Sequence, residues 1–543
     1  MITLPFVARE LPNMITLPSI VIDFLSPTPS WVSSFLILLV LLVVLHTSRS
    51  ASSTPGPTPI PLIGNLIEVM RNFDDFPNWT YRTALRYGGR TWKFSAPFVG
   101  TFVMVTDPTQ LEFVLGKTGF DDFVKGEELN WKSFPVFGAG VFTTDGSYHR
   151  KQRKTISRVF TSHNFRDVFA PVFVSGARRL NKVLKPIAET DDRVDMQLLF
   201  HRLTADTFTE IGCSRQLNSL QSANPEKDWT DALDVAQRLV IHRMKNPLWW
   251  FNETFFGGAK LMKDSVKQVD DFIYSVIDER RKENDSGADV VAKDDLLARF
   301  MRYQDDETGE KLTDRELRDW IVNIFVAGRD TTATVLSWTV FNLSQNPAYL
   351  TKIYQELAIH LPRDRNAPIT HAILSKLVYT HACFVETLRL RPALAVDLKS
   401  CFRDTVLPDG TRVHKGDWLM WSPYAMGRLE SNWGADALEF KPERWLVETV
   451  DAQGIKSVTV KQESPYKFPA FNAGARVCPG QNVGLLQGKT TLALLLRDYE
   501  IDVLNDPPVE YLETITHVMK YGLWVKLNKR KDNRRDSGVS MDM

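Results

Sequence analysis

Cysteine and net charge are both scarce in this chain. Only four of its 543 residues are cysteines, at positions 213, 383, 401 and 478, and no two of them form a C-x-x-C pair. A disulfide framework and a cysteine-based zinc site are therefore both disfavoured, and sparse cysteine suits a reducing compartment. The 66 Lys and Arg residues exceed the 65 Asp and Glu residues by one charge, which argues against nucleic acid as a partner.

Internal linkers are missing as well. No stretch of domain-separating composition interrupts residues 66–528, although a chain of this length exceeds the size at which single cores usually stop growing. We therefore expect one large catalytic domain over 66–528. A basic, proline-rich hinge over 49–65 should precede it as a stiff spacer, and a disordered polar tail over 529–543 should follow it.

A single long run lacks charge, from Trp31 to Ser48, and its centre, residues 35–45, is wholly apolar. Its length lies at the short end of the roughly 17–25 residues that span a bilayer as a helix. The alternative is a cleaved signal peptide, but the tail over 1–30 has one basic residue, Arg9, so a basic n-region is missing. We predict an uncleaved transmembrane anchor over 31–48. Because Arg49 follows it, positive-inside bias places the catalytic domain in the cytosol.

The sequence FNAGARVCPG, residues 471–480, places Cys478 in a loop just before an apolar, helix-like segment over 483–496. A thiolate near the start of a helix is stabilised by backbone N–H groups and by the helix dipole. Phe471 can shield the sulfur from water. The alternative is a buried structural cysteine after a turn.

The rest of this loop suits a flat, anionic partner. Gly474 and Gly480 let the backbone approach a flat group closely, and the fork-shaped cation of Arg476 suits a carboxylate. The pattern F-x-x-G-x-R-x-C-x-G resembles the haem-thiolate loop of cytochrome P-450 monooxygenases at every defining position. The resemblance implies a mainly α fold with small β-sheets, a single large haem domain, and haem b whose iron is bound by the Cys478 thiolate.

Residues 313–345 predict one long buried helix upstream of that loop. Thr313 and Glu316 have the spacing of a capping box, and the pair 346–347, Asn-Pro, ends the pattern. The centre of the helix has the sequence AGRDTT, residues 327–332. This segment resembles the oxygen-binding part of the distal helix in the same family.

The centre of this helix carries the groups that oxygen activation requires. Protons must reach the oxygen through a hydroxyl and an acid, without bulk water entering the site. Thr331 offers the hydroxyl and Asp330 the acid, while Ala327 and Gly328 are small enough to leave room for oxygen. The alternative is an ordinary core helix whose threonines bond back to the i−4 carbonyl. Ala327 also implies non-covalent haem, because animal fatty-acid ω-hydroxylases often carry a haem-esterified Glu at this position.

Three charges stand where the family has a network behind the haem. Glu386 and Arg389 share one helix face at i and i+3, and Arg444 lies in the sequence PERW, residues 442–445. The resemblance implies a structural network that holds the haem pocket and does no chemistry. Removing one member would leave an uncompensated buried charge.

The sequence DGSYHRKQR, residues 145–153, matches the family's D-G-x-x-W-x-x-x-R helix imperfectly. The resemblance implies that Arg153 contacts a haem propionate, and that His149 does so in place of the usual Trp. The run over 149–154 is strongly basic. It is either a solvated helix face or the surface that meets the acidic flavin domain of NADPH–cytochrome P-450 reductase, which supplies electrons.

Periodicity predicts the remaining secondary structure. Helical patterns dominate. Strands are expected at 90–94, at 101–105 and within 411–421, and the polar stretch over 281–295 is expected to be a surface loop.

The segments 409–413, 423–428, 433–434 and 439–445 look most like the fatty-acid and alkane ω-hydroxylases of plants and fungi. That branch implies O2, a lipophilic substrate that partitions into a bilayer, and location in the endoplasmic reticulum membrane. A pocket for terminal hydroxylation must orient the substrate so that only its end reaches the iron. The residues expected to line it, each equally compatible with plain core, are Phe134, Val136, Phe142, Phe325, Ala393, Val396, Leu398, Met519 and Tyr521.

Three functional hypotheses follow. The first is ω-hydroxylation of fatty acids, and the second is monooxygenation of another lipophile, such as an alkane, a sterol or a xenobiotic. The third is a haem-thiolate isomerase or binding protein that does not activate oxygen. Asp330 and Thr331 speak against the third, because such proteins often lose the Thr. Dependence of turnover on NADPH and reductase distinguishes it from the others.

Overall fold

The computed structural model describes residues 54–530 except 98, 222–228, 247, 286–294, 306–308 and 451–455. The predicted tail over 1–30, the anchor over 31–48, the start of the hinge and nearly all of 529–543 lie outside the described residues. In the described part of the chain, no helix combines the length and the apolar character needed to span a bilayer.

Helices predominate, as expected. In chain order they are α1 (Leu66–Arg71), α2 (Phe76–Arg86), α3 (Pro108–Leu115), α4 (Glu127–Phe137), α5 (Gly146–Ser157), α6 (Ser162–Asn164), α7 (Ala170–Thr190), α8 (Met196–Cys213), α9 (Trp229–Lys245), α10 (Trp249–Phe255), α11 (Gly258–Asp285), α12 (Leu296–Arg302), α13 (Asp314–Ser344), α14 (Pro347–His360), α15 (His371–Ser375), α16 (Val378–Leu390), α17 (Pro423–Met426), α18 (Glu430–Trp433) and α19 (Gln481–Asp498).

The strands form small sheets. They are β1 (Trp92–Ala96), β2 (Gly100–Val105), β3 (Phe123–Val124), β4 (Val194–Asp195), β5 (Asp397–Cys401), β6 (Thr405–Val406), β7 (Arg412–Val413), β8 (Trp418–Trp421), β9 (Leu446–Val450), β10 (Lys456–Val460), β11 (Tyr499–Val503), β12 (Tyr511–Glu513), β13 (His517–Met519) and β14 (Trp524–Lys529). The five-stranded sheet has the order β1-β2-β8-β5-β3, with β2 and β8 parallel and the other neighbours antiparallel.

Two sequence-based boundaries need correction. The strand expected within 411–421 is two strands, β7 and β8, because Gly416 adopts φ +90° and turns the chain between them. Of the loop expected over 281–295, the first five residues instead complete α11, and residues 286–294 lie outside the described residues. Arg280 and Asp295, both buried, form an ion pair of 2.6 Å that joins the two ends of this segment.

Helix α13 lies at the centre of the core. It begins with the predicted capping box, in which the Thr313 hydroxyl accepts from Glu316 N and the Glu316 carboxylate accepts from Thr313 N. Its buried apolar residues belong to two core clusters, both of which also contain residues of α19. The helix is buried on nearly all sides, and its buried residues include polar ones such as Asp319, Asn323 and Asp330. Packing therefore fixes the position of each side chain that α13 contributes to a site.

Candidate active site

Cys478 ends a tight turn directly before α19. Its backbone N–H donates to the carbonyl of Phe471 at 2.7 Å, which closes the loop. Gly474 adopts φ +58°, and a Cβ there would lie 1.8 Å from the carbonyl oxygen of Leu115, so only glycine fits where the loop meets the end of α3. The sulfur is thereby fixed near the N-terminal end of a helix.

The surroundings of the Cys478 sulfur act on its charge in opposite directions. Burial raises the thiol pKa above its ordinary value, and the backbone N–H groups of Gly480 and Gln481 and the cation of Arg153 only partly offset that rise. Pro479 has no N–H to contribute. A metal ion bound at the sulfur would favour the thiolate, because coordinated thiols are deprotonated.

Cations are concentrated beside this loop. His149 and Lys399 are almost fully buried. Burial, Arg476 and Arg153 lower the pKa of His149 to about 3, and burial, Arg476 and Lys125 lower the pKa of Lys399 to about 7. Burial disfavours charge of either sign on these two residues. The neighbouring cations Arg476, Arg153 and Lys125 add a positive potential, which disfavours a further positive charge and favours an anion. Lys399 was missed from the sequence, although a lysine inside the short strand β5 is unusual enough to be a signal.

Arg476 points at the N-terminal end of α5. Its Nη2 lies 2.6 Å from Asp145 and donates to the carbonyl of Thr144 at 2.8 Å, an ion pair that the sequence did not predict. Its Nε, like Nδ1 of His149, is buried and has no hydrogen-bond partner in the described part of the chain. Unused buried donors amid excess positive charge fit a flat group with two carboxylates, such as haem with its propionates. His149, Arg153 and Arg476 would hold it there.

One face of α13 remains accessible. Between Leu317 and Val340, every residue is buried except Ile324, Ala327 and Thr331, which lie on one helix face. The Thr331 hydroxyl donates to the carbonyl of Ala327 at 2.6 Å, as an ordinary core threonine would. The predicted small residue and hydroxyl are thus both on the accessible face, with the hydroxyl bonded back to its own helix.

Asp330 points away from that face. Arg329 lies 3.0 Å from its carboxylate, Gln237 of α9 donates to it at 3.0 Å, and Nδ1 of His201 of α8 lies 3.7 Å away. Burial alone would raise the pKa of Asp330, but Arg329, His201 and Gln237 together hold it below its ordinary value. Arg329 also pairs with Asp234 through both of its terminal nitrogens. The acid predicted for proton relay is therefore anchored to two neighbouring helices.

Gly328 has a packing function that the sequence did not predict. A Cβ at this position would lie 2.0 Å from the ring of Phe208, so its small size serves the contact between α13 and α8, whereas Ala327 is on the accessible face. Gly328→Ala is expected to lower the melting temperature, since overpacking costs about 1–3 kcal/mol. Adding Phe208→Leu should restore part of the loss.

The matched control is Gly212→Ala, in helix α8, where a Cβ meets nothing within 4 Å. This control should be neutral or stabilising, because alanine reduces the entropy of the unfolded chain. Equal melting temperatures for Gly328→Ala and the wild type, measured by calorimetry, would contradict the packing argument.

The three predicted charges behind the haem site do meet. Arg389 donates to both carboxylate oxygens of Glu386 at 2.7 and 2.8 Å, and both side chains are 0% exposed. Arg444 Nε lies 3.6 Å from Glu386, and its Nη2 pairs with Asp436 at 2.8 Å. Trp445 donates to Glu386 at 2.8 Å, a contact that the sequence analysis missed although Trp445 directly follows Arg444.

The predicted pocket residues divide by exposure. The exposed or half-buried ones are Phe134, Phe142, Val396, Leu398 and Tyr521. Those buried in the core clusters, for which the plain-core alternative is favoured, are Val136, Phe325, Ala393 and Met519. Leu394, within the stretch 393–398 that the sequence placed at the pocket, is exposed between two buried alanines, Ala393 and Ala395.

Known proteins resemble this chain over most of its length. A family model described as cytochrome P-450 matches residues 54–521. Cytochrome P-450 704B1 of Arabidopsis thaliana is 35% identical over 511 residues, which cover 88% of this chain and 95% of that protein. Cytochrome P-450 704C1 of Pinus taeda is 35% identical over 491 residues, covering 87% and 92%. Alkane hydroxylase MAH1 of Arabidopsis thaliana is 31% identical over 507 residues, covering 90% and 97%.

Proposed function

The chain belongs to the cytochrome P-450 family, and from this premise we propose that it hydroxylates the terminal carbon of fatty acids. As a member of that family it is a monooxygenase with thiolate-ligated haem, and it receives electrons from NADPH through a reductase. The observation that carries the proposal is the accessible face of α13, where Ile324, Ala327 and Thr331 present apolar groups and one hydroxyl. Such a face suits the hydrocarbon end of a substrate.

We assign a role to each residue of the site. Cys478 binds the iron, His149, Arg153 and Arg476 bind the propionates, and Ala327 leaves the haem non-covalent. When bound, the haem supplies oxygen activation and oxidation of a C–H bond. The remaining steps belong to the protein.

Proton supply falls to Thr331 and Asp330. The hydroxyl of Thr331 lies on the accessible face, where it would supply a proton to the reaction. Asp330, one residue earlier, contacts the buried groups His201 and Gln237 behind that face. This arrangement supports delivery of protons from behind the helix without opening the apolar face to water.

A substrate with a long aliphatic chain, such as a fatty acid, is favoured over a sterol or a xenobiotic for two reasons. The motifs at 409–413 and 439–445 are similar to those of fatty-acid and alkane ω-hydroxylases, and one relative is named as an alkane hydroxylase. Accessible apolar side chains, including Leu394 and Phe142, can orient a long chain so that its end, with the stronger primary C–H bonds, is the part that reacts.

An exposed apolar surface supports membrane association. It comprises residues on and around α10 that are exposed despite being large and apolar, namely Leu248, Trp250, Phe251, Phe255, Phe256 and Leu261. Exposed lysines, Lys260 and Lys263, lie beside them in sequence. Aromatic and cationic side chains together suit the interface of a bilayer. We propose that this surface rests on the endoplasmic reticulum membrane, that residues 31–48 anchor the chain in the same membrane, and that the catalytic domain is in the cytosol.

To test this function, membranes that contain this protein are incubated with reductase, NADPH and either fatty acids or n-alkanes of graded chain length. Mass spectrometry then locates the added oxygen. Terminal alcohols of fatty acids, formed only when NADPH is present, are the expected products. Membranes with Cys478→Ser serve as the control and should form none.

Other outcomes separate the alternatives. Oxidised alkanes without oxidised fatty acids would move the substrate to the hydrocarbon class. No product from either class, from protein that still shows the thiolate-type carbon monoxide spectrum, would remove both substrates and leave the monooxygenase assignment intact.

A further inference from the structure

A short segment joins the distal helix to the cysteine loop. It comprises residues 138–145, between α4 and α5, and we call it the bridging loop. On one side, Ala139 N donates to the Asp319 carboxylate at 2.9 Å and Phe142 N donates to the Asn323 side-chain oxygen at 3.2 Å. Asn323 also donates to the carbonyl of Phe137 at 2.8 Å. Two polar side chains of α13 therefore hold the backbone of this loop.

The contact is as close as the chain permits. A Cβ at Gly138, which adopts φ +52°, would lie 2.1 Å from the carboxylate of Asp319, and a Cβ at Gly140 would lie 2.0 Å from the amide nitrogen of Asn323. Asp319 is 2% exposed and Asn323 is 0% exposed. Polar side chains buried this deeply are costly unless they are bonded. The bridging loop supplies one bond to each of them, beside the ion pair of Asp319 with Arg318.

The other side of the bridging loop binds Arg476, two residues before Cys478. Arg476 Nη1 donates to the carbonyl of Val141 at 3.3 Å, and Nη2 donates to the carbonyl of Thr144 and to Asp145. All three of these bonds go to the bridging loop. The loop therefore sets the direction of the guanidinium, whose Nε is left for another acceptor.

We propose that Asp319 and Asn323 are positioning residues for the haem and thiolate end of the site. They act through the bridging loop, which orients Arg476 beside Cys478, and they touch neither the haem nor the substrate. The proposal holds whatever the substrate is. Misplacement by about 1 Å far from the chemistry can cost about a hundredfold in rate, so a link of this kind has a measurable effect.

The test replaces Asn323 with Leu, which has similar volume and none of the hydrogen bonds. Haem transfer from the holoprotein to apomyoglobin is expected to accelerate roughly tenfold, as the loss of the bonds to Phe137 and Phe142 implies. The carbon monoxide complex should also shift from the thiolate form toward the form without thiolate. Asn342→Leu, a half-buried asparagine later in the same helix, is the matched control and should leave both unchanged.

A second pair of variants covers the case in which Asn323→Leu does not fold. Asp319→Asn keeps an oxygen that can accept from Ala139 N and should retain haem nearly as the wild type does, whereas Asp319→Leu should lose it faster. Hydrogen exchange should increase over residues 138–145 and 474–480 together in the weakened variants. A lowered melting temperature with haem transfer and the carbon monoxide spectrum unchanged would reduce both residues to ordinary core and overturn the proposal.

Discussion

Replacing Glu386 with Gln is expected to give a chain that retains almost no haem and melts well below the wild type. Arg389 would keep its charge while its carboxylate partner is gone, and neither side chain has any contact with solvent. Breaking a buried pair by removing one partner costs about 3–5 kcal/mol. Trp445 and the backbone N–H of Lys441 would also lose a charged acceptor. Haem content per chain and calorimetric melting measure the loss.

The matched control is Glu439→Gln. Glu439 is exposed, and its contact with Arg389 is made by its backbone carbonyl at 2.8 Å, so the change of side chain leaves that bond in place. Haem content and melting temperature should therefore equal those of the wild type. If Glu386→Gln behaved like this control, the paired charges would contribute little to the haem pocket.

Local motifs predicted the parts of the site that local chemistry determines. The capping box of α13 and the pair Glu386–Arg389 act within a few residues of themselves along the chain, whereas Gly474 is required both by its own φ of +58° and by a distant contact with Leu115. Their geometry follows from backbone sterics, from unsatisfied helix-end groups and from helical spacing. Periodicity predicted that helices dominate, whereas the mainly α fold with small sheets and the distal position of the long helix were expected from the family resemblance.

Long-range partners were not predictable from the sequence. The groups around Asp330 come from α8 and α9, and Gln237 is 93 residues away from it. The ion pair of Arg476 with Asp145 spans 331 residues. A side chain such as His201 has no local pattern that marks it, because its function is decided by what packs against it. Tertiary packing also places the ring of Phe208 against Gly328, a residue whose small size the sequence suggested would leave room for oxygen.

The residues that line the substrate pocket could not be separated from core residues by sequence alone. Apolar character placed Val136 and Met519 on the list of candidates, but apolar character is shared by core and pocket. Exposure separates the two, and it depends on the direction in which each residue points. At 393–395 that direction alternates along the chain, so Leu394 is exposed and its neighbours are buried.

The Asp330→Asn variant is expected to lower kcat roughly a hundredfold, within the range that a positioned acid contributes, with KM nearly unchanged. Asparagine keeps the size and can still accept from Gln237, so the fold should persist. It cannot exchange a proton, and it removes the negative charge that faces Arg329 and His201. Because Asp330 points away from the accessible face, substrate binding should not change. Steady-state turnover and NADPH consumption measure both effects.

Asp314→Asn is the matched control, since Asp314 is an exposed acid at the start of the same helix, and its turnover should equal that of the wild type. If Asp330 supplies protons, proton delivery becomes rate-limiting in Asp330→Asn. The solvent deuterium isotope effect on turnover should therefore be larger in this variant than in the wild type. A hundredfold loss without that increase would mean that Asp330 acts by holding α8 and α9 against α13. Turnover equal to the wild type would remove Asp330 from the mechanism and leave Thr331, with water, as the proton source.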